Sequence, residues 1–205
     1  MNEKFFDLPI EKQRSIINAG FKVFSQNDYK RSSTEDIASY AGISKGLLFY
    51  YFHNKKTLYM FLYEYAIKLI TENIVESDFA NITDFFELIQ YTGEIKTKLL
   101  KESPFIAEFI IKCFYSQKEE VSEDLNNKIV DVTSMIYKQY FTNIDLTKFK
   151  DDVNPKDILQ MLIWMTDGYL HELNRNNVPI DYDEFNNKYK MWCNMLKKVS
   201  YKEEL

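Results

Sequence analysis

Residues able to end a helix or turn a chain sharply are scarce here. Five glycines and four prolines stand among 205 residues, whereas those two types make up roughly an eighth of an average chain. Turn-rich all-β and low-complexity architectures need many more of them. What recurs instead is a helix-start signal, a short polar residue with a proline or a carboxylate close behind it, and no strand alternation is sustained anywhere. Pro9 opens a first helix with Ile16, Ile17, Phe21 and Phe24 on one face, ending near Asn27 and Asp28. Ser33 with Asp36 reads as a capping box for a short helix that buries Ile37 and Ala38. Ser44 caps a third helix running to about Phe52, and Asn54 a fourth that runs to about Ser77. Asn81 with Asp84, Ser103 with Pro104, Ser122, Asn154 with Pro155, and Asp181 with Glu184 begin five more, the sixth ending near Ser116. The reading is an all-α fold of about nine helices.

Composition supports an ordered core: 45% of the residues are hydrophobic and 28% charged, with 15 Tyr, 16 Phe and 2 Trp. No apolar stretch reaches the ~18 residues of a membrane span, and the first residues, MNEKFFDLPIEKQR, lack an apolar run. A soluble protein with no membrane partner is expected. The net charge of −5 hides a split: the first 60 residues carry nine basic and six acidic side chains, the remainder 17 basic and 25 acidic. A basic head on an acidic body points to a polyanion at the head alone.

The stretch from Ser33 to Phe52, STEDIASYAGISKGLLFYYF, has the form helix, glycine-containing turn, helix. That form can lay its second helix in a DNA major groove. Ile37, Ala38 and Ile43 are expected to face inward, with Leu48 and Phe52 pinning the second helix to the core. Lys45, Gly46, Leu47, Phe49, Tyr50 and Tyr51 are left to face outward, where tyrosine offers a ring to thymine methyls and a hydroxyl to phosphates or base edges. The amides of Ser44, Lys45 and Gly46 suit a phosphate. The competing structural reading is a three-helix subdomain that packs these aromatics against protein.

In AGISKGLLFYYFHNKKTLY and in FFDLPIEKQRSIINAGFKVFSQNDY, the chain resembles the TetR family of bacterial transcriptional regulators. The resemblance covers about the first 60 residues. It implies a three-helix helix-turn-helix DNA-binding domain over residues 1–53 and a helical regulatory and dimerisation domain over 54–205, in a cytoplasmic bacterial protein. DNA contacts carry over to Thr34, Ser44, Lys45, Gly46, Leu47, Phe49, Tyr50, Tyr51 and Lys55, with Lys55 on phosphate. Leu47 departs from a small hydroxylated residue and Phe49 from tyrosine, so each exchanges a hydrogen bond for an apolar contact.

The family also senses small molecules in its helical body and dimerises through its last two helices. In the final helix Tyr182, Phe185, Tyr189, Trp192, Leu196 and Val199 recur at intervals of three and four, a stripe that wants a partner helix, widened by Met191 and Met195. The helix before it, ILQMLIWM, is apolar almost all round. A homodimer interface over Ile158, Gly168, Phe185, Tyr189, Trp192 and Leu196 is the expectation, against a purely monomeric core. Phe105, Phe109, Met161, Trp164 and Met165 are candidates for lining an effector pocket, and such aromatic and methionine stripes also build ordinary cores.

No cofactor and no metal are expected, since Cys113, Cys193, His53 and His171 share no ligand spacing. Nor is an enzyme, because there is no phosphate-cradling glycine loop and no nucleophile motif. The sequence reading is a homodimeric repressor on double-stranded operator DNA, released by a small, largely apolar or aromatic effector whose identity is unknown. The alternative is an apolar-ligand-binding or interaction module with a weakened DNA-binding head.

Overall fold

The computed structural model describes residues 1–75, 81–115, 120–176 and 178–202. Among them are nine α-helices: α1 Ile10–Gln26, α2 Thr34–Tyr40, α3 Lys45–Phe52, α4 Lys55–Val75, α5 Phe85–Glu102, α6 Pro104–Tyr115, α7 Ser122–Tyr140, α8 Pro155–Arg175 and α9 Tyr182–Ser200. Short 3₁₀ turns lie at Glu3–Phe5 and Leu146–Lys148. The expected ends of the fourth and sixth helices, Ser77 and Ser116, fall outside the described residues.

The start signals act as the capping rules require. Ser33 accepts the amide of Asp36, Ser44 that of Leu47, Asn154 that of Lys156, and Asp181 those of Asp183 and Glu184. The fifth helix begins at Phe85 rather than at Asn81, because the Asp84 carboxylate takes the amides of Phe86 and Glu87 at 3.0 and 3.1 Å.

The chain packs as two units, Met1–Glu72 with Glu102–Ser134, and Asn73–Lys101 with Met135–Leu205. This division does not coincide with one between residues 53 and 54, because α4 and α6 both close onto α1. A Cβ at Gly20 would stand 2.6 Å from Leu62 Cδ1, so α1 and α4 approach closely there. The core of this unit is a ring cluster: Phe21 and Phe109 centroids lie 5.3 Å apart, Phe24 and Tyr59 4.8 Å, and Tyr59 and Phe109 4.8 Å. Each such buried ring contributes about 1.5–3 kcal/mol by leaving water.

In the second unit α5 and α9 run antiparallel, joined by Gln90 to Asn194 at 3.2 Å, Lys101 to Asp183 at 2.7 Å and an ion pair of Glu94 with Lys190. Phe149 and Tyr201 form an isolated antiparallel bridge, and Lys202 donates its amide to Lys148 at 2.9 Å, tying the segment after α9 to the one before α8. Their rings close on Phe85 and Phe86. Against this cluster sits Asp84, 7% exposed, with Lys148 Nζ at 2.9 Å and Lys197 Nζ at 3.3 Å from its Oδ2. Burial pushes the Asp84 carboxyl up, but the Lys148 hydrogen bond, the Glu87 amide and the field of Lys197 together hold it below its ordinary value. Among the described residues, no helix is long and apolar enough to cross a membrane.

Candidate functional site

The turn between α2 and α3 is a helix C-cap of the Schellman type. Gly42, at φ 63°, donates its amide to Ser39, and Ile43 donates to Ala38, both at 3.0 Å. A side chain at that φ would be strained, which is why glycine stands there. From α1, Lys12 Nζ donates to the carbonyls of Ala41 and Gly42 at 3.4 and 3.2 Å, and Ser15 Oγ to that of Ala41 at 3.2 Å. The turn is thus held from outside as well as from within.

Ile37, Leu48 and Phe52 are fully buried and Ala38 nearly so, as their spacing predicts; Ile43 is half-buried. On α3 the open face holds Ser44, Lys45, Gly46, Leu47 and Tyr50, with Leu47 37% and Tyr50 49% exposed and Phe49 half-buried at its margin. Tyr51 corrects the expectation that it faces outward. It is buried, with its ring 5.9 Å from that of Phe5. Leu48, Tyr51 and Phe52 stand at i, i+3 and i+4, one face of a helix, and the 3₁₀ turn at Glu3–Phe5 closes over that face. The Asn2 amide donates to the Tyr51 carbonyl at 2.7 Å, and Phe5, fully buried, lies 5.0 Å from Phe52 and 5.4 Å from Phe61. A three-residue turn carries no periodicity, so this brace leaves no signal in the sequence.

Three further expected contacts sit differently from a free DNA ligand. Thr34 is buried at the start of α2, where its hydroxyl donates to Glu35 at 3.4 Å. Lys45 pairs with Glu35 across the two helices and lies 5.7 Å from the Phe49 ring centroid. The hydrogen bond from Lys45 holds the Glu35 carboxyl below its ordinary value. Lys55 donates to the carbonyls of Tyr29, Lys30 and Ser32 at 2.7, 3.3 and 3.3 Å, bracing the loop between α1 and α2. Tyr40, 57% exposed at the end of α2 with Lys22 Nζ 3.9 Å from its ring centroid, went unnoticed in the sequence. His53 ends α3 at φ 61°, ψ −47°, and Asn54 donates across it to Phe52 at 2.6 Å, a γ-turn of the rarer, strained hand.

The family model described as bacterial regulatory proteins of the tetR family matches residues 16–60. Those residues hold most of α1, all of α2 and α3, the turn between them and the start of α4. Over these residues the chain is similar to the TetR family. A curated relative, the HTH-type transcriptional regulator RutR of Escherichia coli O157:H7, is 26% identical over 127 residues, which span 61% of this chain and 60% of that protein. Solved structures share the fold along nearly the whole length. A TetR family transcriptional regulator from Chloroflexus aurantiacus superposes with a TM-score of 0.66 at 20% identity, over 98% of this chain and 99% of that one. FadR of Bacillus subtilis, solved in complex with stearoyl-CoA, gives 0.69 at 21% identity over 88% of this chain and 96% of that one.

The expected body residues fall into several environments. Phe109 belongs to the core of the first unit and Phe105 on the same helix is 41% exposed. In the second unit Met161 and Trp164 are 44% and 64% exposed, and Met165 is half-buried. Ile158 is buried within its own chain. Phe185 and Trp192 pack against Tyr169 of α8, each with ring centroids 6.0 Å apart, and a Cβ at Gly93 of α5 would stand 3.1 Å from Tyr189. Much of the heptad stripe therefore already has intrachain partners; Leu196 is half-buried, and Gly168 has open space above it. The apolar side chains left open are Met161, Ile163 and Trp164 on α8 and Met191, Met195 and Val199 on α9. Both cysteines are buried, Cys113 Sγ donating to the Tyr59 hydroxyl at 3.4 Å, and burial pushes the Cys193 thiol up to about 12, out of reach of thiolate chemistry near neutrality.

Proposed function

We propose that this chain is a homodimeric, cytoplasmic transcriptional repressor that reads operator DNA with residues 1–53 and senses a small, largely apolar or aromatic effector with residues 54–205. The observation that carries the reading is the open face of α3. Leu47 and Tyr50 stand exposed on a helix whose opposite face is sealed by Leu48, Tyr51 and Phe52, an arrangement suited to the major groove and wasteful on an ordinary surface. Ser44, Lys45 and Gly46 open α3 at its amide end, where a phosphate is stabilised. Phe49 flanks the contact, and the buried Thr34 and tethered Lys55 hold the reading helices in place rather than touching DNA.

For the dimer, support comes from the exposed apolar residues of α8 and α9, two helices that pack on each other; a second copy would bury them in a four-helix seam. The stearoyl-CoA bound to the Bacillus subtilis FadR structure supports an amphipathic or apolar effector in a body of this fold. Effector binding would release DNA by favouring a conformer whose two heads are wrongly spaced for half-sites about one helical turn or slightly more apart.

The alternative, an apolar-ligand-binding or interaction module with a weakened head, draws on Lys45 and Lys55 being engaged within the chain. Titration of the full chain against DNA from upstream of its own gene separates the two. A repressor loses affinity steeply as salt rises, whereas the alternative binds no DNA at any salt concentration.

A further inference from the structure

The reading face of α3 is poor in hydrogen-bonding groups of the kind that identify guanine or adenine. No Arg, Asn, Gln or His occurs from Ser44 to Phe52, and these are the residues that make bidentate contacts to purine edges. The polar groups present are largely occupied. The Lys45 ammonium is paired with Glu35 of α2, which draws both charged groups toward each other. Ser44 Oγ accepts the Leu47 amide at 3.1 Å, which engages one of its two lone pairs in capping α3. What stands open is mainly apolar: Leu47, with the ring of Tyr50 one turn on along the same face, both exposed, the Tyr50 hydroxyl being the polar tip. Beside them Gly46 presents bare backbone, where an added Cβ would meet nothing nearer than Ser44 Oγ at 3.9 Å, so a base edge can come close.

Resting on the DNA-binding reading above, we propose that α3 selects its half-site through the 5-methyl group of thymine, packed against Leu47 and the Tyr50 ring. In the major groove that methyl is the one apolar feature a base pair offers. An exposed Leu side chain gains from covering it, and loses when it desolvates a guanine or cytosine edge that it cannot hydrogen-bond. The half-site is therefore expected to carry A·T pairs where α3 enters the groove.

The test uses the full chain and duplexes that the chain itself selects from a randomised library. In each selected duplex, thymines are replaced singly by deoxyuridine, which deletes the methyl and leaves base pairing intact. At one or more thymines per half-site the replacement is expected to lower affinity about fourfold, the worth of one methyl leaving water. In Leu47→Ala the thymine and deoxyuridine duplexes are expected to bind alike at that position. Selected half-sites made of G·C pairs, thymine replacements without effect everywhere, or a methyl effect undiminished in Leu47→Ala would each overturn the inference while leaving DNA binding intact. Failure to retain any duplex, at low salt included, would instead remove the DNA-binding reading and this inference with it.

Discussion

Lys55 and Asp84 show how one charged side chain can be spent on architecture. Lys55 looks like a phosphate ligand because it opens α4 beside a DNA-reading head, yet its ammonium is shared among three carbonyls of the loop before α2. In Lys55→Met the head is expected to lose about 1–2 kcal/mol of unfolding free energy by chemical denaturation, while the slope of DNA affinity against salt stays unchanged. A phosphate ligand would lower that slope by about one. Asp84 is held below its ordinary carboxyl value by Lys148, the Glu87 amide and Lys197 despite its burial. A carboxylate so favoured in the folded state adds stability that is fully present above its unfolded pKa and is lost as pH falls through the lower folded value. Thermal stability is expected to fall below about pH 4, and Asp84→Asn to lower stability at neutral pH while flattening that acid-side decline.

At the scale of elements, the helices were legible because each begins on a residue whose side chain accepts an amide, as Ser33, Ser44, Asn154 and Asp181 do. The 3₁₀ turn over α3 was not legible, since the contacts that fix it join Asn2 to Tyr51 and Phe5 to Phe61 across some fifty residues of sequence. Tyr51 was placed outward by the chemistry of tyrosine when its spacing from Leu48 already put it inside. Phe5 is the anchor of that brace: Phe5→Ala is expected to cost roughly 3–5 kcal/mol in denaturant unfolding, with Phe5→Leu recovering most of the loss. Which partner covers an apolar stripe is a question periodicity cannot answer. The heptad pattern of α9 was real, but Phe185, Tyr189 and Trp192 are in part satisfied by α8 and α5 of their own chain, which moves the open face toward Met191, Met195 and Val199.

For the whole molecule, the proposed dimer would make the second copy part of the function, since one head alone would read only half of a near-palindromic site. Trp164, 64% exposed, is the largest apolar side chain on the proposed seam. Sedimentation is expected to give twice the mass of one chain, and Trp164→Glu to give the single-chain mass with helical content retained. The proposed function rests on the open face of α3 binding DNA. Its most direct measurement is the affinity of the full chain, compared with Tyr50→Ala, for a duplex from upstream of its own gene across a series of salt concentrations. Affinity is expected to fall as salt rises and to drop a further fivefold or so in Tyr50→Ala. Binding indifferent to both salt and this substitution would contradict it.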